Sequence, residues 1–285
     1  MIDLHVHSTF SDGELTPLEI LRVCFEKNIS VISITDHDNF FGVKQALQTN
    51  PYNNITVIPG IEIDAYYPKG TLHILGYNIS FNNPSLNAVI SQIHEDNVTR
   101  IKSLISELKK NYNISFKEKD IDDIFLCDGT VGRPDVARLC VKYGYSKSVK
   151  EAFELLLNPL KEKVIKKKLE LSDYECIKYI TDAGGIASIA HPITLKKNID
   201  DLEIYLRKLQ SYGLKAVEAY HSTHSNEDTI NLINISKKLN FLTSGGSDYH
   251  GPIAKPDIQI GSGKNNNLNI TNLTILNELL EWLKW

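Results

Sequence analysis

The sequence predicts an α/β protein in which a barrel-like sheet is interrupted by a helical insertion. Short apolar segments typical of buried strands alternate with amphipathic helical segments in residues 1–80 and again in residues 170–285. Residues 81–169 contain helical patterns but no clear strand pattern. We therefore expect a barrel formed by residues 1–80 and 170–285, with residues 81–169 forming an inserted helical lid.

The first part of the barrel begins with a short apolar strand at residue 2 and continues as β/α units. Thr16 can cap the first helix and Pro17 occupies its first turn, a combination typical of helix starts. Ile29 to Thr35 is a β-branched run between polar residues, which is typical of a buried parallel strand. Further strands are expected at 55–63 and 71–77, and helices at 18–28 and 41–49.

The insertion is predicted to begin with a long amphipathic helix over residues 85–110. Shorter helices are expected at 120–125, 136–143 and 149–157. The segment 161–168 is rich in lysine, which is more typical of a solvated face than of a binding site.

The chain after the insertion returns to the β/α pattern. Strands are expected at 185–190, 216–220 and 241–244, and helices at 173–183, 199–212 and 227–239. A polar, loop-like segment then leads to a terminal helix at 274–285.

The composition of the chain argues against some partners and some classes of protein. The chain has 285 residues, 42% of them hydrophobic, and a net charge of −4. The absence of a basic excess makes duplex nucleic acid an unlikely partner, and no apolar run is long enough to cross a membrane. The four cysteines lack metal-site spacing, which favours reduced thiols. We expect a cytoplasmic protein with no targeting segment and no membrane partner.

Candidate metal ligands cluster at the predicted strand ends. His5 and His7 are two residues apart, so in a strand their imidazoles point to the same face, and Asp12 follows in a turn. The other side chains at or just after strand ends are Asp36, His37, Glu62, His73, His191, His221, His224, Asp248 and His250. Only His94 lies inside a predicted helix. This distribution predicts a multinuclear metal site at the carboxyl-terminal rim of the sheet.

The motifs occur in a characteristic order. They are H-x-H-S-x-x-S-D-G, T-D-H-D, G-I-E-I, H-x-L-G-Y, A-H-P and G-G-S-D-Y-H-G, over about residues 2–262. Together they resemble the polymerase and histidinol phosphatase (PHP) family of metal-dependent phosphoesterases. That resemblance implies a distorted seven-stranded (β/α) barrel. Gly132 to Arg138 and Tyr220 to Ser225 further resemble the stand-alone branch containing nucleoside 3′,5′-bisphosphate phosphatases and 5′-to-3′ exoribonucleases.

The resemblance also implies two to three divalent metal ions held by three ligand sets. The sets are His5, His7, Glu62 and Asp248; Asp12, His37 and His250; and Glu62, His73 and His191. Glu62 would bridge two metals, and Asp12 stands where some relatives have His. Ligands that offer only nitrogen and oxygen suit Mn²⁺, Fe²⁺ or Zn²⁺. Asp36 and Asp38 are expected to orient histidines rather than bind metal.

Substrate contacts are expected mainly from the insertion. Arg133 and Arg138 are candidates for a phosphate, because a guanidinium can bind phosphate through two parallel hydrogen bonds. For Arg138 a surface salt bridge is an equal alternative. His224 is a candidate to bind phosphate or to protonate the leaving oxygen, with a structural hydrogen bond as its alternative. His221 is a weaker substrate-binding candidate that could instead form a pocket wall. The predicted catalytic residues are His224, Asp248 and Arg133.

These features favour a hydrolase of phosphomonoesters. The expected substrate is a small nucleotide such as a nucleoside 3′,5′-bisphosphate, or a short 5′-phosphorylated single-stranded RNA or DNA. One alternative is a phosphatase of a small metabolite such as histidinol phosphate. A second alternative, from a different class, is a non-catalytic metal-binding module.

Overall fold

The computed structural model describes residues 1–125, 129–165 and 169–282. The strands in these ranges are β1 (Ile2–Val6), β2 (Val31–Ile34), β3 (Thr56–Val57), β4 (Gly60–Ala65), β5 (Leu72–Tyr77), β6 (Ile186–Ile189), β7 (Ala216–His221), β8 (Leu242–Gly246), β9 (Ile258–Gln259) and β10 (Gly263–Lys264). The α-helices are α1 (Pro17–Glu26), α2 (Phe41–Thr49), α3 (Pro84–Tyr112), α4 (Glu118–Phe125), α5 (Arg133–Lys142), α6 (Val149–Ala152), α7 (Asp173–Asp182), α8 (Ile199–Ser211), α9 (Asn226–Leu239) and α10 (Thr274–Trp282). No described helix is both long and apolar enough to span a membrane.

The strands form a mixed α/β fold with two main sheets. One sheet has the order β1-β2-β3 and is parallel, and the other has the order β4-β5-β6-β7-β8. Isolated bridges connect the sheets at two edges, between Val6 and Tyr249 and between His37 and Glu62. The described ladders are therefore separate sheets joined by bridges rather than one continuous closed ladder.

Strand direction in the second sheet differs from a purely parallel arrangement. β5 is antiparallel to both β4 and β6, whereas β6, β7 and β8 are parallel. The beginning of β5 therefore lies beside the end of β4, with His73 opposite Asp64. For this reason a residue near the start of β5 reaches the same rim as residues at the ends of the other strands.

Two predicted elements are wrong. The single strand expected at 55–63 is two strands, because Pro59 separates β3 from β4 and each joins a different sheet. Proline has no N–H for a strand ladder and fixes its own φ angle, so it favours this break. The tail expected to be loop-like contains the antiparallel hairpin β9-β10. In contrast, Thr16 caps α1 as expected and forms a reciprocal capping box with Glu19.

The helix α3 connects two hydrophobic cores. Its first half contributes Leu86 and Ile93 to the central core, which also contains Ile20, Ile32 and many other buried residues of the sheets. Its second half contributes Ile101, Leu104 and Leu108 to another core. That core is completed by residues between 114 and 160. The long helix thus holds the inserted segment beside the rim of the sheets.

Candidate metal centre

The centre is built around Glu62, which lies in β4 and is fully buried. The Glu62 Oε2 atom lies 3.2 Å from His5 Nε2 and 3.1 Å from His7 Nε2. Alternation along β1 places both imidazoles on this face, as the spacing predicts. His37 Nδ1 lies 3.4 Å from the same oxygen.

The other oxygen of Glu62 faces a different pair of histidines. Oε1 lies 2.9 Å from His73 Nδ1 and 3.2 Å from His191 Nε2. A carboxylate with separate ligands around each oxygen has the geometry of a bridge between two cations. His191 has an unusual backbone, with φ 27° and ψ 60°.

A second group of ligands surrounds Asp12. Its Oδ1 lies 3.2 Å from His250 Nε2 and 3.5 Å from His7 Nδ1. The rings of His7 and His250 are stacked with their centroids 4.0 Å apart, and His37 completes the group. These are the residues expected to hold a second cation, joined here by His7.

Asp248 joins both groups. Its Oδ1 lies 3.3 Å from His7 Nε2 and 3.4 Å from His250 Nδ1. Its Oδ2 instead accepts a hydrogen bond from Lys255 Nζ at 2.6 Å and lies 3.4 Å from His221 Nε2. One oxygen of Asp248 is therefore directed to the histidines and the other is held by a lysine. Asp248 has a φ of +54°, which is uncommon for a residue other than glycine.

Unpaired polar atoms test whether this centre fits metal ions. Within the described part of the chain, five buried ligand atoms have no hydrogen-bond partner; they are His5 Nε2, His7 Nε2, Asp12 Oδ1, His37 Nδ1 and Glu62 Oε2. Buried polar atoms without partners are costly, so a cluster of them pointing at one another indicates a missing ligand. Imidazole nitrogens and carboxylate oxygens are suitable donors for divalent metals. The residues of this centre are therefore suited to bind divalent metal ions.

The charges of the centre balance one another. Burial by itself lowers the pKa of His5, but the nearby carboxylates of Glu218 and Glu62 raise that pKa well above its usual value. Burial raises the pKa of the Glu62 carboxyl, but the imidazoles around it hold the pKa well below its usual range. In the absence of cations, protonated histidines thus compensate the buried carboxylates.

A cavity of about 560 Å³ opens beside the centre. His37, His73, Asp12 and Asp64 line one side of it, and Arg133 lines the opposite side. The Arg133 Nη2 atom donates a hydrogen bond of 2.6 Å to Asn158 Oδ1. The Arg133 guanidinium also lies 4.9 Å from the centre of the Phe153 ring.

Other predicted substrate residues lie outside the lining of this cavity. Arg138 forms a 2.7 Å salt bridge with Asp135, which is the alternative left open by the sequence. Asp135 also accepts a hydrogen bond from Gly132 N–H at the start of α5. Among the described residues, His224 and His221 are likewise absent from the cavity wall.

His221 and His224 lie behind the metal centre. His221 is buried next to Asp248, and its ring centroid is 5.1 Å from that of His224. His224 Nδ1 hydrogen-bonds with Ala219 O at 3.1 Å. Burial and then the charge of His221 lower the pKa of His224 to about 4. His224 is therefore a neutral imidazole at pH 7.

The sequence analysis missed four residues near the centre. Asp64 Oδ1 lies 3.1 Å from His37 Nδ1 and 3.3 Å from His73 Nε2. Glu218 is fully buried within β7, where a lone acidic residue in the apolar run Ala216–His221 was the available signal. Lys255 follows the last histidine motif and contacts Asp248. Arg100 lines the cavity from α3, and nothing in its local sequence distinguishes it from a surface arginine.

Asp36 organises a loop instead of contacting a histidine. Its carboxylate accepts hydrogen bonds from Ser8 N–H at 2.8 Å, Ser8 Oγ at 2.7 Å and Ser11 Oγ at 2.7 Å. Asp38 accepts a hydrogen bond from Asp64 N–H at 3.1 Å. Both residues thus fix the backbone that carries the candidate ligands.

Comparisons with known proteins agree with this geometry. Residues 3–173 match the PHP domain family. The chain is 27% identical over 258 residues to the 3′,5′-nucleoside bisphosphate phosphatase of Chromobacterium violaceum, covering 88% of this chain and 87% of that protein. It is 27% identical over 256 residues to the 5′-3′ exoribonuclease of Haemophilus influenzae, covering 88% of this chain and 90% of that protein.

A solved structure extends the similarity over nearly the whole chain. An inferred metal-dependent phosphoesterase from Bifidobacterium adolescentis superimposes with a TM-score of 0.79 at 25% identity, covering 98% of this chain and 95% of that chain. The ordered motifs, the converging histidines and carboxylates, and the family match lead to one conclusion. The chain belongs to the PHP domain family, and it is a metal-dependent phosphoesterase.

Proposed function

We propose that this phosphoesterase hydrolyses a phosphomonoester of a nucleoside 3′,5′-bisphosphate or of a short 5′-phosphorylated oligonucleotide. The observation that carries the proposal is a pair of arginines, Arg100 and Arg133, lining the same cavity as the metal centre. The names of the Chromobacterium and Haemophilus relatives support this class of substrate.

In the part of the chain that the structure describes, the two arginines are not paired with acids. Within the described residues, neither guanidinium has a carboxylate within the 4.0 Å of a salt bridge. Arg100 Nη1 contacts only Asn97 Oδ1, at 3.5 Å, and Arg100 Nε has no hydrogen-bond partner. Burial and the charge of Arg100 lower the pKa of Arg133. The cavity wall also contains acidic side chains, including Glu162 and Glu170, but none of the described ones pairs with these guanidiniums. Two like charges without a salt-bridge partner favour an anionic ligand, and phosphate suits guanidinium geometry.

The remaining wall of the cavity supports a nucleoside. Apolar side chains of the insertion line it; they are Ile101, Leu104, Val131, Phe153, Leu157, Val164 and Ile165. A base and a ribose can bury their surface against these groups, with one phosphate at the arginines and another at the metal centre. A cavity of about 560 Å³ also has the size usual for small-molecule sites.

We propose that the metal ligands are the three sets implied by the family resemblance, with Glu62 as the bridge. Its two oxygens face different histidines, which supports this role. The cations would be two to three ions of Mn²⁺, Fe²⁺ or Zn²⁺. When bound, they supply a water of lowered pKa and neutralise charge on phosphoryl oxygens.

The protein groups then have separate tasks. Arg100 and Arg133 bind and orient the phosphate that is not cleaved, and the carboxylates and imidazoles of the centre position the reacting phosphate. We assign the phosphate contacts to these two arginines in place of Arg138, which is paired with Asp135. His224 supports His221 from behind, since its Nδ1 is engaged with a backbone carbonyl.

We also propose that residues 81–169 act as a lid and that the two sheets form a distorted (β/α)₇ barrel. The separate hydrophobic core of the insertion supports the first idea, and the bridges that connect the sheets support the second. The buried free thiols of Cys24 and Cys140 agree with a cytoplasmic location; Cys127 lies outside the described residues.

A substrate panel with Mn²⁺ tests the function. The panel contains a nucleoside 3′,5′-bisphosphate, the corresponding mononucleotides, a short 5′-phosphorylated RNA and histidinol phosphate. We expect the highest kcat/KM for the bisphosphate or the RNA, because only these place a second phosphate at the arginines. An equal or higher value for histidinol phosphate would contradict the proposal. Full metal content with no hydrolysis of any substrate would favour the non-catalytic module.

A further inference from the structure

Glu218 contacts two candidate metal ligands, His5 and His191, from a buried position. It lies in β7, is fully buried, and points its carboxylate between β1 and the segment that follows β6. Its Oε1 lies 2.9 Å from His5 Nδ1, and its Oε2 accepts a hydrogen bond of 2.7 Å from the His191 backbone N–H. Each oxygen thus serves a different ligand.

These two contacts restrict which atoms can donate and which can accept a hydrogen bond. A backbone N–H can only donate, so Oε2 must be an acceptor. A carboxylate oxygen also accepts from His5 Nδ1, which places the proton of the imidazole on Nδ1. The other ring nitrogen, Nε2, lies 3.2 Å from Glu62 Oε2 and has no hydrogen-bond partner among the described residues. It is therefore the nitrogen that would give up its proton and offer a lone pair to a cation.

The second contact explains an unusual backbone. His191 has positive φ, a conformation that residues other than glycine adopt rarely and at a cost. The hydrogen bond from its N–H to Glu218 holds the main chain in this conformation, and the side chain then points Nε2 at Glu62.

We infer that Glu218 is a positioning residue that selects the Nδ1–H tautomer of His5 and fixes the backbone of His191, so that both Nε2 atoms are directed at Glu62 and available as metal ligands. The inference rests on the proposed metal ligands and deepens that proposal. Glu218 and His221 could also be read, together with His5, as a further set of ligands. Against this, both oxygens of Glu218 are already engaged.

Glu218→Gln is the variant that tests the inference. Glutamine keeps the shape but has one acceptor oxygen and one donor NH₂ group. Since His191 N–H needs the oxygen, the NH₂ group faces His5 and forces the proton onto Nε2. We expect the affinity for Mn²⁺, measured by competition with a chelating dye, to fall about 10–100-fold.

Asp3→Asn provides a matched control. Asp3 is also a fully buried acid beside this centre, and it accepts hydrogen bonds from the backbone N–H groups of His5, Ser247 and Gly261 but none from an imidazole. A purely structural role for Glu218 would give both variants the same metal affinity and similar losses of thermal stability. That result would overturn the inference.

The wild-type protein offers a second measurement should Glu218→Gln not fold. In zinc-loaded protein with ¹⁵N-labelled histidine, the ring ¹⁵N shifts of His5 should show a protonated Nδ1 and a coordinated Nε2. A coordinated Nδ1 would overturn the inference. Failure of the underlying metal assignment is distinguishable, because His5→Ala would then leave Mn²⁺ affinity unchanged.

Discussion

The metal centre and the arginine pair face each other across one cavity, but they are organised differently. At the centre, each acid is surrounded by bases, and five histidine nitrogens lie within 3.4 Å of the two oxygens of Glu62. Within residues 81–169, Arg100 and Arg133 contact amide oxygens and form no salt bridge with a described carboxylate. In the first region the charged groups are paired with one another, whereas in the second the two guanidiniums have no salt-bridge partner among the described residues.

The supporting elements explain this contrast. Three of the nine candidate ligands, His5, Glu62 and His73, lie in strands, and the other six lie in segments that follow strands. Anchoring at strands suits a site that tolerates little geometric error. The arginines come from α3 and α5 of the insertion, whose core is separate from that of the sheets. From this comparison we expect that metal binding and substrate selection can be altered independently. The following experiments test this expectation.

The largest effect is expected for Glu62→Gln. Loss of one charge from the proposed bridge should weaken both neighbouring sites and lower kcat/KM about a thousandfold, or about 4 kcal/mol, even with excess Mn²⁺. This loss should exceed that at any ligand of a single metal. Glu26→Gln is the comparison, since it makes the same substitution at an exposed glutamate at the end of α1. Turnover near wild type in Glu62→Gln would remove the bridge from the proposal.

The double variant His5→Ala with His7→Ala should lose at least one metal ion per chain. Both imidazoles face Glu62, so their removal takes two nitrogen ligands from one site. Elemental analysis of the purified protein measures the content, with His94→Ala in α3 as the control. Unchanged content in the double variant would refute the assignment of these two histidines.

Arg133→Ala should reduce kcat/KM for a nucleoside bisphosphate about 30-fold, or about 2 kcal/mol, because one charge-assisted phosphate contact is lost. Metal content should not change, and an aryl phosphate diester should be affected much less. Arg133→Lys should recover only part of the loss, since an ammonium cannot form the paired hydrogen bonds of a guanidinium. Arg100→Ala should behave in the same way.

Arg138→Ala is the matched control for the arginine experiment, because it lies on the same helix but pairs with Asp135. It should stay close to wild type for every substrate. Equal losses for Arg133→Ala on the bisphosphate and the diester would assign Arg133 to the fold or to the reacting phosphate. No loss on either would direct attention to Lys161, the one lysine of the run 161–168 that lines the cavity within the described residues.

The smallest effect on activity is expected for Leu108→Ala in the core of the insertion. Leu108 is fully buried, so its truncation should cost about 2–5 kcal/mol of local stability. Hydrogen exchange should become faster in α5 and in the second half of α3, with a modest rise in KM and unchanged metal content. Leu21→Ala in the central core is the counterpart, and it should destabilise the sheets and the metal centre. Loss of metal in Leu108→Ala would show that the two regions are coupled.

Local sequence was sufficient to predict most elements and the candidate ligands. Alternation along β1 predicted that His5 and His7 share a face, because side-chain direction in a strand depends only on the chain itself. The cap of α1 and the helical character of the insertion were equally local. Arg133 was identified from its Gly-flanked turn before a proline, and it does line the cavity.

Other features depended on pairing between distant segments. β5 runs antiparallel to its neighbours, and only this direction brings His73 to the rim. Arg100 and Arg133 line the same cavity because α3 packs beside α5. Glu218 reaches His5 because the fold brings β7 close to β1. The sequence by itself thus determined which residues are chemically able to bind metal and phosphate. The tertiary structure decided which of them meet, since strand direction and helix packing are set by contacts between residues far apart in the chain.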